Sequence, residues 1–382
     1  MYVVQCIITS PGHSLHRRVK SPGRAILRHS SALHFMITFY PGPSKIYPQV
    51  AEWAAEACRS GIVSMNHRSS EFMAVTEGAI RAVRANLNVP ESYHIALVSS
   101  ATECWEIVAQ SLTQHTSLHP YGGAFGKKWM EYAHRLKPIQ PPDQADVLCV
   151  VQNETANGTQ VRMPVLGQFR RDFPDALIAV DAVSSMAGIA FKWLLADVWF
   201  ASVQKCFGLP AGLAVLIYSP RALQRAEEIG ERAHYNSLLF LHENFVKFQT
   251  PYTPNGLGIY LLKCVLEYVP PIATVDKQTI KRAAAWYQFF GQEMIDSPFR
   301  LLVTDPLLRS DTVIAIEGAE GDISAIKKAA KQAGFLLGNG YSDLKTTTFR
   351  IANFPAISDA DIEKLKEFFK SGLKLQLREG TY

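Results

Sequence analysis

The chain has 382 residues, of which 48% are hydrophobic and 19% are charged, a composition typical of folded globular proteins. At roughly 150 residues per domain, this length predicts two or three folding units with a large core, and it excludes a disordered or fibrous chain. The formal net charge of +5 belongs entirely to residues 1–35, because the 34 basic residues beyond them match the 34 acidic ones. We therefore expect no nucleic-acid partner.

The cysteine and hydropathy patterns bear on the compartment. Six cysteines are scattered without a CxxC pair, which disfavours a disulfide framework and a zinc site, so no metal is expected. Several lie in apolar runs, as Cys149 does, where a reduced thiol acts as a small hydrophobic group. A reducing, cytoplasmic location is the natural expectation. No apolar run reaches the roughly 18 residues that a membrane-spanning helix needs, so no membrane partner is expected.

Residues 1–35 differ in amino-acid composition from the rest of the chain. They are rich in Ser, His and Arg, contain no acidic residue and show no periodic apolar face. This composition predicts a basic N-terminal extension that is disordered or mis-annotated, with translation starting at Met36. An organelle transit peptide is the alternative that an Arg-rich, acid-poor leader leaves open.

From Met36 onward, amphipathic helical stretches alternate with short apolar runs. Val50–Arg59 and Phe72–Leu87 have apolar residues at helical spacing. The predicted strands share continuous apolar character between turn residues, and they are Ile95–Val98, Val147–Val151, Leu177–Val180, Val198–Ala201 and Leu213–Tyr218. Such runs are typical of a mostly parallel sheet covered by helices on both faces. We therefore predict a large α/β domain over residues 36–272.

The pattern changes after Pro270 and Pro271. A long helical stretch is predicted around Gln278–Met294, and a second helix begins near Asp322. Strands are predicted at Thr312–Ile316 and Thr347–Ile351, followed by a helix with Ile362, Leu365, Phe368 and Phe369 on one face. This segregated arrangement predicts a smaller C-terminal α+β domain over residues 273–382.

Polar residues follow the predicted strands of the large domain. In open α/β sheets, ligands bind beyond the carboxyl ends of the strands. The first of these segments runs from Ser100 to Glu103 and has the S-x-x-E form of a capping box, which predicts a helix start. A helix start with free N–H groups suits a phosphate, although a capping box alone is usually only a cap.

The next strand ends carry Thr155, Asp181 and Lys205. A carboxylate and a lysine at neighbouring strand ends could form a simple ion pair. Together with a phosphate-binding helix start, however, they form the set that pyridoxal phosphate requires. Lysine forms a Schiff base, aspartate keeps the pyridine nitrogen protonated, and the helix start holds the phosphate.

Five short segments carry a resemblance to a known family. They are Tyr40-Pro41-Gly42-Pro43-Ser44, Asn66-His67-Arg68-Ser69-Ser70-Glu71-Phe72, Asn153-Glu154-Thr155, Val180-Asp181-Ala182-Val183-Ser184-Ser185 and Gln204-Lys205-Cys206-Phe207-Gly208-Leu209-Pro210-Ala211-Gly212. In this order, over about nine tenths of the chain, they resemble the class V aminotransferases of the fold-type I pyridoxal-phosphate-dependent transferases, and most closely the phosphoserine aminotransferases. The resemblance implies a large domain with a mostly parallel mixed sheet and a small C-terminal α+β domain.

The resemblance implies a role for each matching residue. Lys205 is expected to bind the cofactor covalently and to move a proton during catalysis, and Asp181 to pair with the ring nitrogen. The other cofactor-binding residues that the resemblance implies are Thr155 at the phenolic oxygen, Phe125 stacked on the ring where the family usually has Trp, and Ala101, Thr102 and Gln204 at the phosphate. Gln249 and Thr250 match the segment that reaches a neighbouring subunit's cofactor, which implies a homodimer with shared sites.

The resemblance also assigns substrate-binding residues. Arg350 matches the arginine that binds the α-carboxylate, for which a planar, bidentate guanidinium is suited. Arg68, with His67, matches the pair that meets the distal anionic group of the substrate. These matches imply transamination between O-phospho-L-serine and 2-oxoglutarate, a reaction of L-serine biosynthesis.

One segment departs from the family pattern. Phosphoserine aminotransferases usually carry a second His-Arg pair shortly before the carboxylate arginine, and here the stretch Gly338–Lys345 has none. Asp343 would repel a phosphate, and Lys345 could replace part of the missing charge. Thr102 also stands where many relatives have Arg. A serine or alanine:glyoxylate aminotransferase of the same class therefore stays open as an alternative, as does a non-catalytic scaffold.

Overall fold

The computed structural model describes residues 36–120, 122–137 and 145–379, so the predicted extension over residues 1–35 lies outside the described residues. The strands, in chain order, are β1 (Ile37–Phe39), β2 (His94–Val98), β3 (Thr116–Leu118), β4 (Ala145–Val151), β5 (Asn153–Glu154), β6 (Thr159–Gln160), β7 (Leu177–Asp181), β8 (Val198–Ser202), β9 (Ala214–Tyr218), β10 (Arg300–Leu301), β11 (Val313–Glu317), β12 (Phe335–Asn339) and β13 (Thr348–Ala352). The α-helices are α1 (Val50–Arg59), α2 (Ser70–Leu87), α3 (Ala101–Ile107), α4 (Ala124–Leu136), α5 (Met163–Asp172), α6 (Pro220–Ile229), α7 (Leu238–Phe245), α8 (Gly256–Tyr268), α9 (Ile272–Gln288), α10 (Glu320–Gln332) and α11 (Asp359–Glu379).

The larger sheet has the strand order β2-β9-β8-β7-β4-β3. Strands β8, β7, β4 and β3 run parallel, and β9 is antiparallel to both of its neighbours, β2 and β8. Every residue of β7, β8 and β9 is buried. Strands buried on both faces must be apolar throughout, which is why they were visible as continuous runs. The α/β fold class with a mostly parallel mixed sheet is confirmed.

Helices pack on this sheet through their apolar faces. The longest helix of this part, α2, buries Phe72, Ile80, Val83 and Leu87, and it packs against α8. The Ser69 hydroxyl accepts a hydrogen bond from the N–H of Phe72, which fixes the start of the helix. Both predicted helices in this region are confirmed to within two residues.

The second sheet has the strand order β1-β12-β13-β11-β10 and forms its own hydrophobic cluster with α9, α10 and α11. The two predicted strands correspond to β11 and β13. Strand β1 was not predicted, and it pairs in parallel with β12 although it lies within the range assigned to the large domain. Three residues are too few to show a periodic pattern. The chain from Met36 onward forms one compact unit, and the division after residue 272 stays a prediction.

Among the described helices, none is by itself long and apolar enough to cross a membrane. Helix α8 together with the stretch Ile272–Glu293 reaches that length and apolarity only as a pair bent by 81°.

The parallel strands position the candidate site. Strands β4, β7 and β8 end at Val151, Asp181 and Ser202, and because they run parallel these ends meet at one edge of the sheet. The polar segments that follow them therefore lie side by side.

Candidate active site

A cavity of about 280 Å³ lies at this edge of the sheet. The predicted site residues that line it are Ala101, Thr102, Phe125, Thr155, Asp181, Gln204, Lys205 and Arg350. Residues to which the sequence analysis gave no role also line it, among them Trp105, Lys128, Val183, Ser202 and Tyr341. Its volume is just below the range of small-molecule sites, which begins at about 300 Å³.

Lys205 lies at the centre of this cavity with its ammonium group held by two hydroxyls. Its Nζ donates to Thr155 Oγ1 at 2.8 Å and to Ser184 Oγ at 3.0 Å, and the two hydroxyls also hydrogen-bond each other. Burial lowers the pKa of Lys205 to about 8, because a charged amine is poorly solvated there, while the charge of Asp181 opposes the shift. A lysine with a lowered pKa carries more of the neutral amine at physiological pH, and the neutral amine is the nucleophile. Ser184 belongs to a quoted motif but received no role from the sequence.

Asp181 lies buried at the end of β7 and accepts hydrogen bonds from two donors. The N–H of Val183 donates to Oδ1 at 3.0 Å, and the indole Nε1–H of Trp105 donates to Oδ2 at 3.0 Å. Burial raises the pKa of Asp181 to about 6, and the two hydrogen bonds and the Lys205 charge oppose that rise. The carboxylate is therefore largely ionised near neutral pH, in a form that can pair with a protonated ring nitrogen.

The start of helix α3 has the Ser100 half of the predicted capping box, while the Glu103 side chain reaches the residue before the N-cap. The Ser100 hydroxyl accepts from the N–H of Glu103 at 3.1 Å, and the Glu103 carboxylate accepts from the N–H of Ser99 at 2.8 Å. The N–H of Ala101, predicted to hold a phosphate, donates to Ser202 Oγ at 2.9 Å. The Ala101 N–H therefore already has a partner in Ser202, which lines the cavity together with Thr102.

Phe125 lies on the first turn of α4, which Glu154 caps. Oε2 of Glu154 accepts from the N–H groups of Phe125 at 3.0 Å and Gly126 at 3.2 Å. A carboxylate at a helix start is favourable because it meets the N–H groups that lack a helical partner. The Phe125 ring stacks on Tyr341, with ring centroids 4.8 Å apart, and the Nζ of Lys205 lies 5.4 Å from the Phe125 centroid.

Arg350 reaches the cavity from β13 of the second sheet. The Arg350 side chain is buried. Its Nε donates a hydrogen bond to the carbonyl of Asn339, and a terminal nitrogen donates one to the carbonyl of Thr155, both at 2.6 Å. These two bonds orient the guanidinium while it is still available to an anion in the cavity.

The segment that departs from the family pattern contributes Tyr341 to the cavity, whereas Asp343 and Lys345 are not among the lining residues. Lys128, one helical turn after Phe125, lines the cavity as a third cation beside Lys205 and Arg350. Its Nζ lies 5.5 Å from the centroid of the Tyr132 ring. Lys128 follows Phe125 by three residues, a spacing that places both on one face of α4, but no helix was predicted here from the sequence.

Four predicted residues lie away from the cavity of their own chain: His67, Arg68, Gln249 and Thr250. Two of them are in contact, because a terminal nitrogen of Arg68 donates to Oε1 of Gln249 at 3.2 Å. Arg68 is exposed, and burial together with the charge of Arg68 lowers the pKa of His67. The structure therefore separates the predicted site residues into a cavity set and a second, partly exposed set.

The cavity residues fit pyridoxal phosphate. A buried lysine, a buried carboxylate and a phenylalanine ring lie together, as the amine, ring-nitrogen partner and stacking group of this cofactor require. Oε1 of Gln204 is buried and has no hydrogen-bond partner in the described part of the chain, as expected of a group that faces a ligand.

Comparison with known proteins agrees with this geometry. The sequence profile of the family described as "Aminotransferase class-V" matches residues 129–345. The chain is 29% identical over 352 residues to a putative phosphoserine aminotransferase of Mycobacterium sp. (strain KMS), covering 86% of this chain and 93% of the relative. It is 28% identical over 351 residues to the phosphoserine aminotransferase of Rhodococcus opacus (strain B4), covering 85% and 91%.

A solved phosphoserine aminotransferase from Cytophaga hutchinsonii superposes with a TM-score of 0.84 at 32% identity, covering 89% of this chain and 99% of that one. An aspartate aminotransferase from Thermus thermophilus, with a TM-score of 0.75 and 22% identity, shares the fold. The chain belongs to the class V aminotransferases. It is an aminotransferase, and its cofactor is pyridoxal phosphate.

Proposed function

We propose that this chain transfers the amino group of O-phospho-L-serine to 2-oxoglutarate, giving 3-phosphohydroxypyruvate and L-glutamate, in the L-serine biosynthesis of the cytoplasm. The observation that carries the proposal is the cavity in which Lys205, Asp181 and Arg350 converge. The similarity to phosphoserine aminotransferases over nearly the whole length of those relatives supports the choice of substrate.

Each part of the cofactor would be bound by a different residue of the cavity. Asp181 would hold the ring nitrogen, Thr155 the phenolic oxygen, Phe125 the ring face, and Thr102 with Gln204 the phosphate. When bound, pyridoxal phosphate supplies an electron-withdrawing ring that stabilises negative charge developing at the substrate's α-carbon.

Lys205 has two functions in this proposal. Its neutral amine is the group that attaches covalently to the cofactor, and burial increases the fraction of that neutral form. As a free amine in the cavity, Nζ would take the proton from the substrate's α-carbon and would hold it for return. The hydroxyls of Thr155 and Ser184 keep Nζ within the cavity during these steps.

Arg350 would bind the α-carboxylate shared by phosphoserine and glutamate. Its bonds to two backbone carbonyls hold the guanidinium in place before a substrate arrives, so little side-chain entropy is lost on binding.

The residues that the resemblance assigns to the distal anion of the substrate, His67 and Arg68, do not line this chain's own cavity. We infer a homodimer in which His67 of the partner subunit and Arg68 of the partner subunit meet that anion, with Gln249 of the partner subunit and Thr250 of the partner subunit near the cofactor phosphate. The separation of these four residues from their own cavity, and the contact between Arg68 and Gln249, support this arrangement.

A second candidate is a serine or alanine:glyoxylate aminotransferase of the same class. It is favoured by the absence of a His-Arg pair over Gly338–Lys345 and by Tyr341, an uncharged side chain, on the cavity wall. A site with fewer cations suits a substrate without a phosphate.

The deciding experiment is the absorbance spectrum of the purified holoenzyme after separate additions of O-phospho-L-serine, L-serine, L-alanine and L-glutamate, without any oxo acid. Conversion to the pyridoxamine phosphate form by phosphoserine and glutamate is the expected result. Conversion by serine or alanine alone would contradict the proposed substrate and support the second candidate. A protein that shows no cofactor band after incubation with pyridoxal phosphate would be a non-catalytic scaffold.

A further inference from the structure

The indole of Trp105 makes a hydrogen bond that the family resemblance did not anticipate. Its Nε1–H donates to Oδ2 of Asp181 at 3.0 Å, and Trp105 is 4% exposed. The other donor to this carboxylate, the N–H of Val183, comes from the same turn of chain as Asp181 itself. Trp105 is therefore the one side chain found hydrogen-bonded to the Asp181 carboxylate in the part of the chain that the structure describes.

Two neighbouring aromatic side chains fix the position of this indole. Trp105 stacks on Trp129 with an interplanar angle of 12° and centroids 6.1 Å apart, and it meets the edge of Tyr132 at 5.9 Å. Rigid packing of this kind leaves the indole few alternative rotamers. The N–H consequently points at Oδ2 of Asp181.

The position of Trp105 in helix α3 links the two ends of the cofactor site. Trp105 follows Thr102 by three residues, so both lie on the same face of the helix and both line the cavity. The start of the helix faces the phosphate region, and its next turn holds the carboxylate that meets the ring nitrogen.

We infer that Trp105 is a positioning residue, whose indole N–H holds the Asp181 carboxylate in the orientation that pairs with the ring nitrogen of the cofactor. The inference rests on the proposed cofactor-binding roles. With Trp105 on Oδ2 and Val183 on Oδ1, each carboxylate oxygen keeps acceptor capacity, and Asp181 lines the cavity. A donor to a buried carboxylate also stabilises its ionised form, which a protonated ring nitrogen requires.

The test compares Trp105→Phe with Trp129→Phe. Both variants replace a buried indole in the same aromatic cluster, but Nε1 of Trp129 has no hydrogen-bond partner among the described residues. Only Trp105→Phe therefore removes a hydrogen bond to Asp181. The two readouts are the dissociation constant of pyridoxal phosphate and the ¹⁵N chemical shift of the ring nitrogen in holoenzyme loaded with ¹⁵N-labelled cofactor.

For Trp105→Phe we expect roughly 10- to 100-fold weaker cofactor binding, the range for one hydrogen bond to a charged group, and a ¹⁵N shift toward the unprotonated ring. Trp129→Phe should keep the wild-type ¹⁵N shift. Identical shifts in the two variants would overturn the inference while leaving the proposed function intact. A wild-type protein that binds no pyridoxal phosphate would instead overturn the proposed function and this inference together.

If Trp105→Phe does not fold, the wild-type holoenzyme labelled with ¹⁵N-tryptophan provides the measurement. Asp181→Asn is expected to displace one indole Nε1–H resonance out of the six tryptophans. If no indole resonance moves, Trp105 does not hold this carboxylate.

Discussion

Lys205 and Asp181 lie in one buried site, and burial moves the pKa of each toward neutrality from opposite directions. The pKa of Lys205 falls to about 8 and that of Asp181 rises to about 6. Between these values the carboxylate is mostly ionised, and the neutral amine fraction increases with pH.

The rate at which the apoprotein attaches pyridoxal phosphate should increase about tenfold per pH unit and level off above about pH 8, because the neutral amine of Lys205 is the nucleophile. Stopped-flow absorbance between pH 6 and 10 measures this rate. Lys205→Ala is the control. In this variant, borohydride reduction should trap no cofactor on the peptide that contains residue 205. A midpoint near 10, the value for an exposed lysine, would show that burial does not activate Lys205.

Cofactor binding should depend on the ionisation of Asp181. A protonated carboxyl group cannot form an ion pair with a protonated ring nitrogen. Wild type should therefore bind pyridoxal phosphate more tightly than Asp181→Asn does, and this ratio of affinities should decrease about tenfold per pH unit below about pH 6. Fluorescence titrations of both proteins between pH 4.5 and 8 measure it. The titration of the free cofactor is common to both proteins and cancels in the ratio. An advantage that is constant with pH would contradict the ion-pair role of Asp181.

At the scale of elements, the start of α4 shows how a neighbouring segment positions a site residue. Glu154 follows β4 and accepts from the N–H groups of Phe125 and Gly126, and also from that of Ala156 at 2.9 Å. One carboxylate thereby joins the strand end that carries Thr155 to the helix that carries the stacking ring.

Glu154→Gln should therefore displace the first turn of α4 and weaken both stability and cofactor binding. A glutamine offers one acceptor oxygen where the carboxylate uses two, so at least one N–H loses its partner, at a cost of about 1–3 kcal/mol. Urea unfolding of the apoprotein and the dissociation constant of pyridoxal phosphate measure the two effects. Glu131→Gln, at an exposed position on the same helix, is the control and should change neither. Equal behaviour of the two variants would show that the cap does not hold Phe125.

The elements that the sequence revealed are those with a strong local pattern. Strands β4, β7 and β8 are continuous apolar runs because both faces are covered, and the Ser100 capping box marks the start of α3. No such pattern marks the short strands β1, β3 and β10, or β12 where it pairs with β1. These strands are defined by pairing partners that are distant in the chain rather than by local sequence.

At the scale of the whole molecule, hydrogen bonds join the two sheets around the cavity. Thr312 Oγ1 donates to the carbonyl of Ser184 at 2.6 Å, and Arg350 donates to that of Thr155. The residues that hold Lys205 are therefore attached to the second sheet. Motif order identified Lys205, Asp181 and Arg350, but contacts between residues far apart in the chain, such as the bond from Trp105 to Asp181, had no sequence signal.

The separation of Arg68 from the cavity predicts complementation between subunits. In a homodimer with shared sites, Lys205→Ala damages the chain's own cavity and Arg68→Ala damages the cavity of the partner. A heterodimer of these two variants therefore has one site with both defects and one with all its residues. With two different affinity tags, the purified heterodimer should show about half of the wild-type activity per dimer, while both homodimeric variants show little.

The heterodimer of Lys205→Ala with Asp181→Asn provides the matched control. Both of these changes lie in the cavity of their own chain, so each of its two sites keeps one defect and no activity should return. An inactive heterodimer of Lys205→Ala with Arg68→Ala would place Arg68 in the site of its own subunit and contradict the shared arrangement. Because the two heterodimers differ only in where the second residue acts, their comparison tests the site geometry independently of the substrate.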